Sequence, residues 1–142
     1  MKSKFTVFFS LLFVLGITVI MFSCGNEHSV EFDRYYSSGS LIYQTQCQNC
    51  HGTSGEGLQG LIPPLTDSIY LKNNRNQLAC SIKYGLKGKL IIGGRQFEGA
   101  MPANDLSPMD LAKVITYVTN SFGNKAGLVN ITQAQADLAN CK

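Results

Sequence analysis

The pattern of hydrophobic and polar positions predicts its clearest helix in the last third of the chain. Ser107 is a good N-cap, Pro108 suits the first helical position, and Asp110 would face the positive end of the helix dipole. Gly123 is expected to stop the helix. The apolar positions repeat at i, i+3, i+4, i+7 and i+11 and form one stripe, which consists of Leu111, Val114, Ile115, Val118 and Phe122.

A second helix is predicted in the middle of the chain. Asp67 or Ser68 can cap it, and it would run to about residue 84. Leu71, Leu78 and Ile82 are expected on its buried side. Residues 39–47 predict a short helix before it, and a last short helix near the C-terminus would begin at the cap Thr132.

Two apolar triplets flank a glycine pair and predict a small β-hairpin. Residues 90–92 and 95–97 are the strands, and Gly93-Gly94 is the tight turn between them. Long glycine- and proline-rich loops lie at residues 52–65 and 99–102, where the backbone is expected to fold closely around another group. The elements together predict an all-α fold that carries one small hairpin.

The N-terminal apolar run predicts export from the cytoplasm. Lys2 and Lys4 precede an apolar stretch from residue 5 to residue 22, and small residues follow it. The stretch resembles a bacterial lipoprotein signal in which Cys24 becomes the lipid-bearing first residue. The alternative is an uncleaved membrane anchor, since about 18 residues can just span a bilayer. Both interpretations place the domain at the periplasmic face of the membrane.

This pattern divides the chain into three parts. Residues 1–23 are the predicted signal peptide, and residues 24–38, which are polar and show no periodicity, are the predicted lipidated cysteine and flexible tether. Residues 39–142 are the predicted domain. The chain has 12 basic and 9 acidic residues, and cleavage would remove two of the basic ones. So small a basic excess does not indicate a nucleic-acid-binding protein.

The cysteine pattern indicates covalent haem attachment. Cys47, Cys50 and His51 form a Cys-x-x-Cys-His motif, in which both thiols can add to the porphyrin vinyl groups and the histidine can bind the iron. A zinc site needs about four ligands, and no second closely spaced pair follows the motif. A thioredoxin-like dithiol requires a preceding strand, and none is predicted.

The iron needs a sixth ligand from the opposite side of the ring. Met101, in the second glycine- and proline-rich loop, is the predicted ligand because the backbone there can bend its thioether towards the metal. Met109, His28 and a lysine are the alternatives. The two remaining cysteines, Cys80 and Cys141, are expected to form a disulfide in an oxidising compartment. The alternative is that both remain free thiols.

These motifs together resemble the class I cytochromes c over residues 39–122. The resemblance implies that Gly39 and Tyr43 pack against Tyr117 of the last family helix. It also implies that the carbonyl of Pro63 accepts a hydrogen bond from His51. Finer features resemble small c-type domains of respiratory chains that occur alone or fused to copper nitrite reductases or oxidase subunits. These features are residues 84–88, 99–103 and 120–124.

The resemblance implies an electron carrier with one haem c rather than an enzyme. Histidine and methionine ligands would saturate the iron, and the thioether would favour Fe(II). The expected partners are an upstream quinol-oxidising complex and a terminal oxidase or reductase, with no small-molecule substrate. Two alternatives are a permanent haem subunit of an oxidase or reductase complex, and a vacant-site haem protein with peroxidase or gas-binding activity.

Overall fold

The N-terminal element of the domain is a long helix rather than a tether. The computed structural model describes Phe13 and residues 27–141, and in it helix α1 spans Glu27–Gln46. The chain divides after Val30 into two units, and the following description concerns the second, Glu31–Lys142. Apart from Phe13, the predicted signal peptide lies outside the described residues, and so does the predicted lipidation site Cys24.

Six α-helices, one turn of 3-10 helix and two strands make up the described residues. After α1 come α2 (Gln48–His51), α3 (Ser68–Asn73), the 3-10 turn (Arg75–Gln77) and α4 (Leu78–Tyr84). Strands β1 (Leu90–Ile92) and β2 (Arg95–Phe97) follow, and α5 (Pro108–Val118) and α6 (Ile131–Ala139) complete the chain. The predicted helical fold with one hairpin is therefore confirmed.

The prediction of a flexible tether over residues 24–38 is wrong from Glu27 onwards. Phe32 stacks on Tyr36 with ring centroids 5.7 Å apart, and Tyr36 packs on Tyr117 at 5.1 Å. The Tyr36 hydroxyl also lies 3.0 Å from the Ser121 hydroxyl. These contacts stabilise α1 well before residue 39, although its overall hydrophobicity is low.

Helix ends differ from their predicted positions in three places. The helix predicted to run from Asp67 to residue 84 is interrupted at Asn74, whose side-chain amide donates to the Tyr70 carbonyl at 2.8 Å. Helix α5 begins at the predicted cap but ends at Val118, and Phe122 adopts a left-handed conformation (φ 57°) instead of continuing it. Helix α6 is capped by Asn130, not Thr132, because the Asn130 side chain accepts from the backbone amide of Gln133.

The hairpin has the predicted strands and turn. Leu90 pairs with Phe97 and Ile92 with Arg95. Gly93 and Gly94 both have positive φ, 56° and 73°, as a two-residue turn between right-twisted strands requires. Ile92 and Phe97 are buried, so one face of the hairpin packs on the domain.

The main core lies between α4, α5 and α6. Ala79, Leu111, Ile115 and Val129 are fully buried. Cys80 and Cys141 form a disulfide that joins α4 to the residues after α6. Within the described part of the chain, no helix is long and apolar enough to cross a membrane.

Helix α1 crosses α5 at a glycine. A Cβ atom at Gly39 would collide with the backbone carbonyl oxygen of Lys113 and come within 2.9 Å of the Tyr117 Cβ. One turn later, the rings of Tyr43 and Tyr117 lie 5.4 Å apart. The packing of Gly39 and Tyr43 against Tyr117 that the resemblance implied is confirmed.

Replacing Gly39 with alanine tests this crossing. The new methyl group meets a backbone atom that cannot move without shifting α5, so we expect a loss of about 2 kcal/mol in the free energy of unfolding. For a domain of this size the melting temperature would fall by about 10 °C. Ser37→Ala, at an exposed position on the same helix, is the control. Equal melting temperatures for the two variants would contradict the close approach.

Tyr43→Phe tests the contact between α1 and the loop after α2. The Tyr43 hydroxyl donates to the Gly52 carbonyl at 2.6 Å, and its loss should cost about 1–2 kcal/mol at neutral pH. Burial raises the pKa of Tyr43 well above its ordinary value. The stabilisation is therefore present below about pH 10 and is lost as the unfolded tyrosine ionises above it.

Urea unfolding of the holoprotein at about pH 7 and about pH 11 measures both effects. The stability difference between the wild type and Tyr43→Phe should shrink at the higher pH. Tyr84→Phe, at a side chain that is 64% exposed, should change neither value. If the stability difference between the wild type and Tyr43→Phe grows with pH, the Tyr43 hydroxyl does not stabilise the fold as a neutral hydrogen-bond donor.

Candidate haem site

The cysteine–histidine motif forms one short turn of helix at the end of α1. The backbone amide of Cys47 donates to the Tyr43 carbonyl at 2.9 Å, so the turn continues directly from α1. The amides of Cys50 and His51 both donate to the Cys47 carbonyl, at 3.1 and 2.9 Å. Residues at i, i+3 and i+4 are neighbours on a helical turn, so Cys47, Cys50 and His51 lie close together on this one.

The loop after the motif is held back against it. Gly52 has a positive φ of 81° and ends the turn. The Gly57 amide donates to the His51 carbonyl at 2.8 Å, and the Leu65 amide donates to the Gly55 carbonyl at 2.7 Å. These bonds return the chain to the motif and bring Pro63 beside His51.

The imidazole of His51 is oriented by a backbone carbonyl. Its Nδ1 lies 3.2 Å from the Pro63 carbonyl oxygen, which can only accept, so Nδ1 carries the proton. Nε2 then keeps its lone pair, as a metal ligand requires. Burial lowers the pKa of His51, and the Pro63 hydrogen bond partly offsets this effect. The ring is therefore neutral at physiological pH.

Cys47 and Cys50 are free thiols in the described chain. Burial, and then the neighbouring Cys50, raise the pKa of Cys47 to about 11. A redox-active dithiol depends on a thiol whose pKa is lowered, because the thiolate is the reactive form. The environment of Cys47 therefore does not favour thioredoxin-like chemistry.

Met101 is held in place by backbone pairing with the end of α4. The Met101 amide donates to the Leu86 carbonyl at 2.9 Å, and the Leu86 amide donates to the Met101 carbonyl at 3.0 Å. Gly85 precedes this pair with a φ of 77°. A Cβ atom at Gly85 would come within 2.5 Å of the Met101 carbonyl oxygen and 2.8 Å of the Ala103 nitrogen. Only glycine fits so close to the Met101 loop.

The loop that follows the motif also contacts the Met101 loop. The Gly99 amide donates to the Leu61 carbonyl at 3.1 Å, and the Glu98 amide donates to the Gly60 carbonyl at 3.3 Å. The two glycine- and proline-rich loops therefore meet, as loops folded around a common group would.

A cavity of about 440 Å³ joins the predicted site residues. Cys47, His51, Pro63 and Met101 all contribute to its wall, whereas Cys50 is exposed and does not line it. The size is typical of a cavity that binds a small organic cofactor. The other apolar lining residues are Pro64, Leu65, Leu71, Leu78, Ile82, Leu86, Leu90, Ile92, Val114, Ile115 and Val118.

Apart from Cys47 and His51, the polar side chains of the cavity come from one segment. Tyr70, Asn74, Gln77 and Ser81 line it, and all lie between the start of α3 and the middle of α4. Sequence reasoning missed these residues, since polar side chains at a helix break have no distinctive pattern. It also missed Leu86 as the partner of Met101. The glycine before Leu86 was a signal, because it marks a close backbone approach.

Met109, the alternative methionine, lies in the first turn of α5 and does not line the cavity. The structure therefore brings His51 and Met101 to one cavity and leaves Met109 outside it. His28 lies in α1, in the part of the chain that precedes the compact unit, and its side chain is outside the described residues.

Comparison with known proteins agrees with this geometry. The family model described as "Cytochrome C oxidase, cbb3-type, subunit III" matches residues 35–118, more than half of the chain. Two curated relatives, both named cytochrome c-552 from Thermus thermophilus, are each 28% identical over 93 residues. The alignment covers 62% of this chain, 70% of one relative and 62% of the other. The chain belongs to the family of cbb3-type cytochrome c oxidase subunit III domains, which are c-type cytochromes with covalently attached haem c.

Proposed function

We propose that this protein is an exported, membrane-tethered monohaem cytochrome that carries single electrons between respiratory partners. The observation that carries the proposal is that Cys47 and His51 of the motif and Met101, 50 residues after His51, line one cavity of about 440 Å³. The family membership supports the same conclusion, since its members are c-type cytochromes.

Four residues would hold the haem. Cys47 and Cys50 would form the two thioether bonds, and His51 and Met101 would bind the iron from opposite sides. The Pro63 carbonyl keeps the His51 proton on Nδ1, so that Nε2 is ready to bind the metal without a proton being displaced. When bound, the haem iron supplies reversible one-electron chemistry.

The cavity wall suits both the apolar ring and the charged carboxylates of a haem. The wall is predominantly apolar, as the porphyrin ring requires, and apart from Cys47 and His51 its polar side chains lie in the segment from Tyr70 to Ser81. Tyr70, Asn74 and Gln77 of this segment would donate hydrogen bonds to the haem carboxylates.

Two protein ligands leave the iron no position for a substrate. The chemistry that remains is gain and loss of an electron, and a neutral thioether ligand favours the reduced state. Because a closely packed, covalently held site reorganises little, this arrangement suits a carrier rather than an enzyme. Ligation of the iron by two protein side chains is the reason to prefer an electron carrier over a peroxidase or a gas-binding protein.

The sequence supports the proposed location, and the family supports redox partners in a respiratory chain. The basic start, the apolar run and Cys24 support export and anchoring by lipid at the periplasmic face. The donor would be a quinol-oxidising complex and the acceptor a terminal oxidase or reductase. No nucleic acid or small-molecule substrate is involved.

Charges near the Met101 loop support only weak electrostatic steering of a partner. Lys83 is paired with Asp105 at 2.6 Å, and Lys89 lies 3.6 Å from Glu98. The paired carboxylates cancel part of the positive charge of these lysines. Because long-range attraction depends on net charge, this surface attracts an acidic partner only weakly.

Met101→Leu tests the ligand assignment. Leucine has nearly the same volume but cannot bind iron, so the ferric protein should lose the weak red absorption band of a methionine–iron bond. The reduction potential should fall by on the order of 100 mV or more. Optical spectroscopy and redox titration of the purified holoprotein measure both changes.

Met109→Leu is the matched control and should leave the band and the potential unchanged. The assignment of Met101 is overturned if the Met109 variant loses the band while the Met101 variant keeps it. If the wild type itself binds carbon monoxide readily and lacks the band, the iron has a vacant site and the carrier proposal fails.

A permanent haem subunit of an oxidase complex is the second candidate, because the matching family model is that of an oxidase subunit. Solubilising native membranes in mild detergent and isolating the tagged full-length chain distinguishes the two. A free carrier should elute as a small cytochrome in its own detergent micelle and leave the oxidase behind. Stoichiometric recovery of oxidase subunits through repeated washing would establish the subunit instead.

A further inference from the structure

Helix α4 and the residues directly after it hold the Met101 loop at three points. Besides the backbone pairing between Leu86 and Met101, the Ile82 carbonyl accepts from the Asn104 amide at 3.0 Å. The Lys83 ammonium donates to the Asp105 carboxylate at 2.6 Å and to the Leu106 carbonyl at 3.2 Å. The position of the whole segment from Met101 to Leu106 therefore depends on the position of α4.

Helix α4 has little stability of its own. It is seven residues long, and the side chain of its N-cap, Gln77, makes no capping hydrogen bond. Isolated helices of this length do not form in water, so packing must stabilise it. Tyr84, at its last position, is 64% exposed, which leaves the fully buried Ala79 and its neighbours to provide that packing.

The disulfide connects this weak helix to the last part of the chain. Cys80 lies next to Ala79 and one position before Ser81, which lines the haem cavity. Its partner, Cys141, is 61 residues away and follows α6. The closed loop includes the hairpin, Met101 and α5, so the bond joins the segment that holds Met101 to the end of the chain.

We propose that the Cys80–Cys141 disulfide positions the Met101 ligand by fixing α4 in place. Cys80 and Cys141 do not touch the haem and are positioning residues. The inference rests on the proposed function, since it requires Met101 to bind the iron. Without the disulfide, α4 and the attached loop would separate from the domain more often, because a helix this short is held only by its tertiary connections and would lose a covalent one. The methionine–iron bond would then open more often.

The test is the rate at which imidazole replaces Met101 in the ferric holoprotein. Imidazole can bind only after the methionine–iron bond has opened, so the limiting rate at high imidazole concentration reports loop opening. In the double variant Cys80→Ser/Cys141→Ser we expect this rate to rise about tenfold. Replacing both cysteines avoids a lone thiol.

Asn130→Ala is the control for general loss of stability. It removes the capping hydrogen bond that the Gln133 amide of α6 donates to the Asn130 side chain. The free energy of unfolding should fall by about 1 kcal/mol. It leaves the disulfide intact, so the imidazole rate should stay within about twofold of the wild type while the melting temperature falls.

The proposal is overturned if the double variant binds imidazole at the wild-type rate. It is also overturned if the rates of both variants rise in proportion to their loss of thermal stability, because the disulfide would then act only on the whole fold. A wild type without the red methionine–iron band would be a different result, since it would remove the ligand assignment and this inference with it.

Discussion

The structure depends on placing a histidine and a methionine, 50 residues apart in the sequence, in the wall of the same cavity. His51 is carried by a rigid turn that continues α1, whereas Met101 lies in an irregular loop. Such a loop cannot position a side chain by its own secondary structure. The backbone of Met101 pairs with that of Leu86, directly after α4, and the Gly99 amide donates to the Leu61 carbonyl in the loop at residues 52–65. The end of α4 and that loop therefore both position Met101. The two halves of the site are therefore linked by backbone hydrogen bonds, which depend little on side-chain identity.

An aromatic cluster gives the histidine side of the site its rigidity. The Tyr43 ring lies 5.4 Å from Tyr117 and 5.3 Å from Phe122, and its hydroxyl binds the Gly52 carbonyl. Phe122 in turn occupies the space beside Gly55, where no Cβ atom would fit. One aromatic cluster thus packs together α1, the start of the loop at residues 52–65 and the residues after α5. Phe122 leaves the helical conformation because its ring packs in this aromatic cluster instead of continuing the apolar stripe of α5.

The chemistry of the site was easier to predict from the sequence than the ends of the helices. A haem-attachment motif has a spacing fixed by covalent chemistry, and the Gly-Gly hairpin has a turn fixed by sterics, so both are local signals. The extension of α1 was missed because its polar residues hide the stripe of Phe32, Tyr36, Gly39 and Tyr43, which repeats at i, i+4, i+7 and i+11. The break at Asn74 and the end of α5 result from tertiary contacts. No property of the isolated segment predicts these.

The cavity also shares part of its wall with the core of the domain. A cavity of about 440 Å³ with a wall made mainly of leucine, isoleucine and valine side chains gains its full hydrophobic stabilisation only when an apolar group fills it. The main core of α4, α5 and α6 shares Ile115 with this wall. A haem bound there would therefore extend the same core and take the place that a large apolar side chain would otherwise occupy.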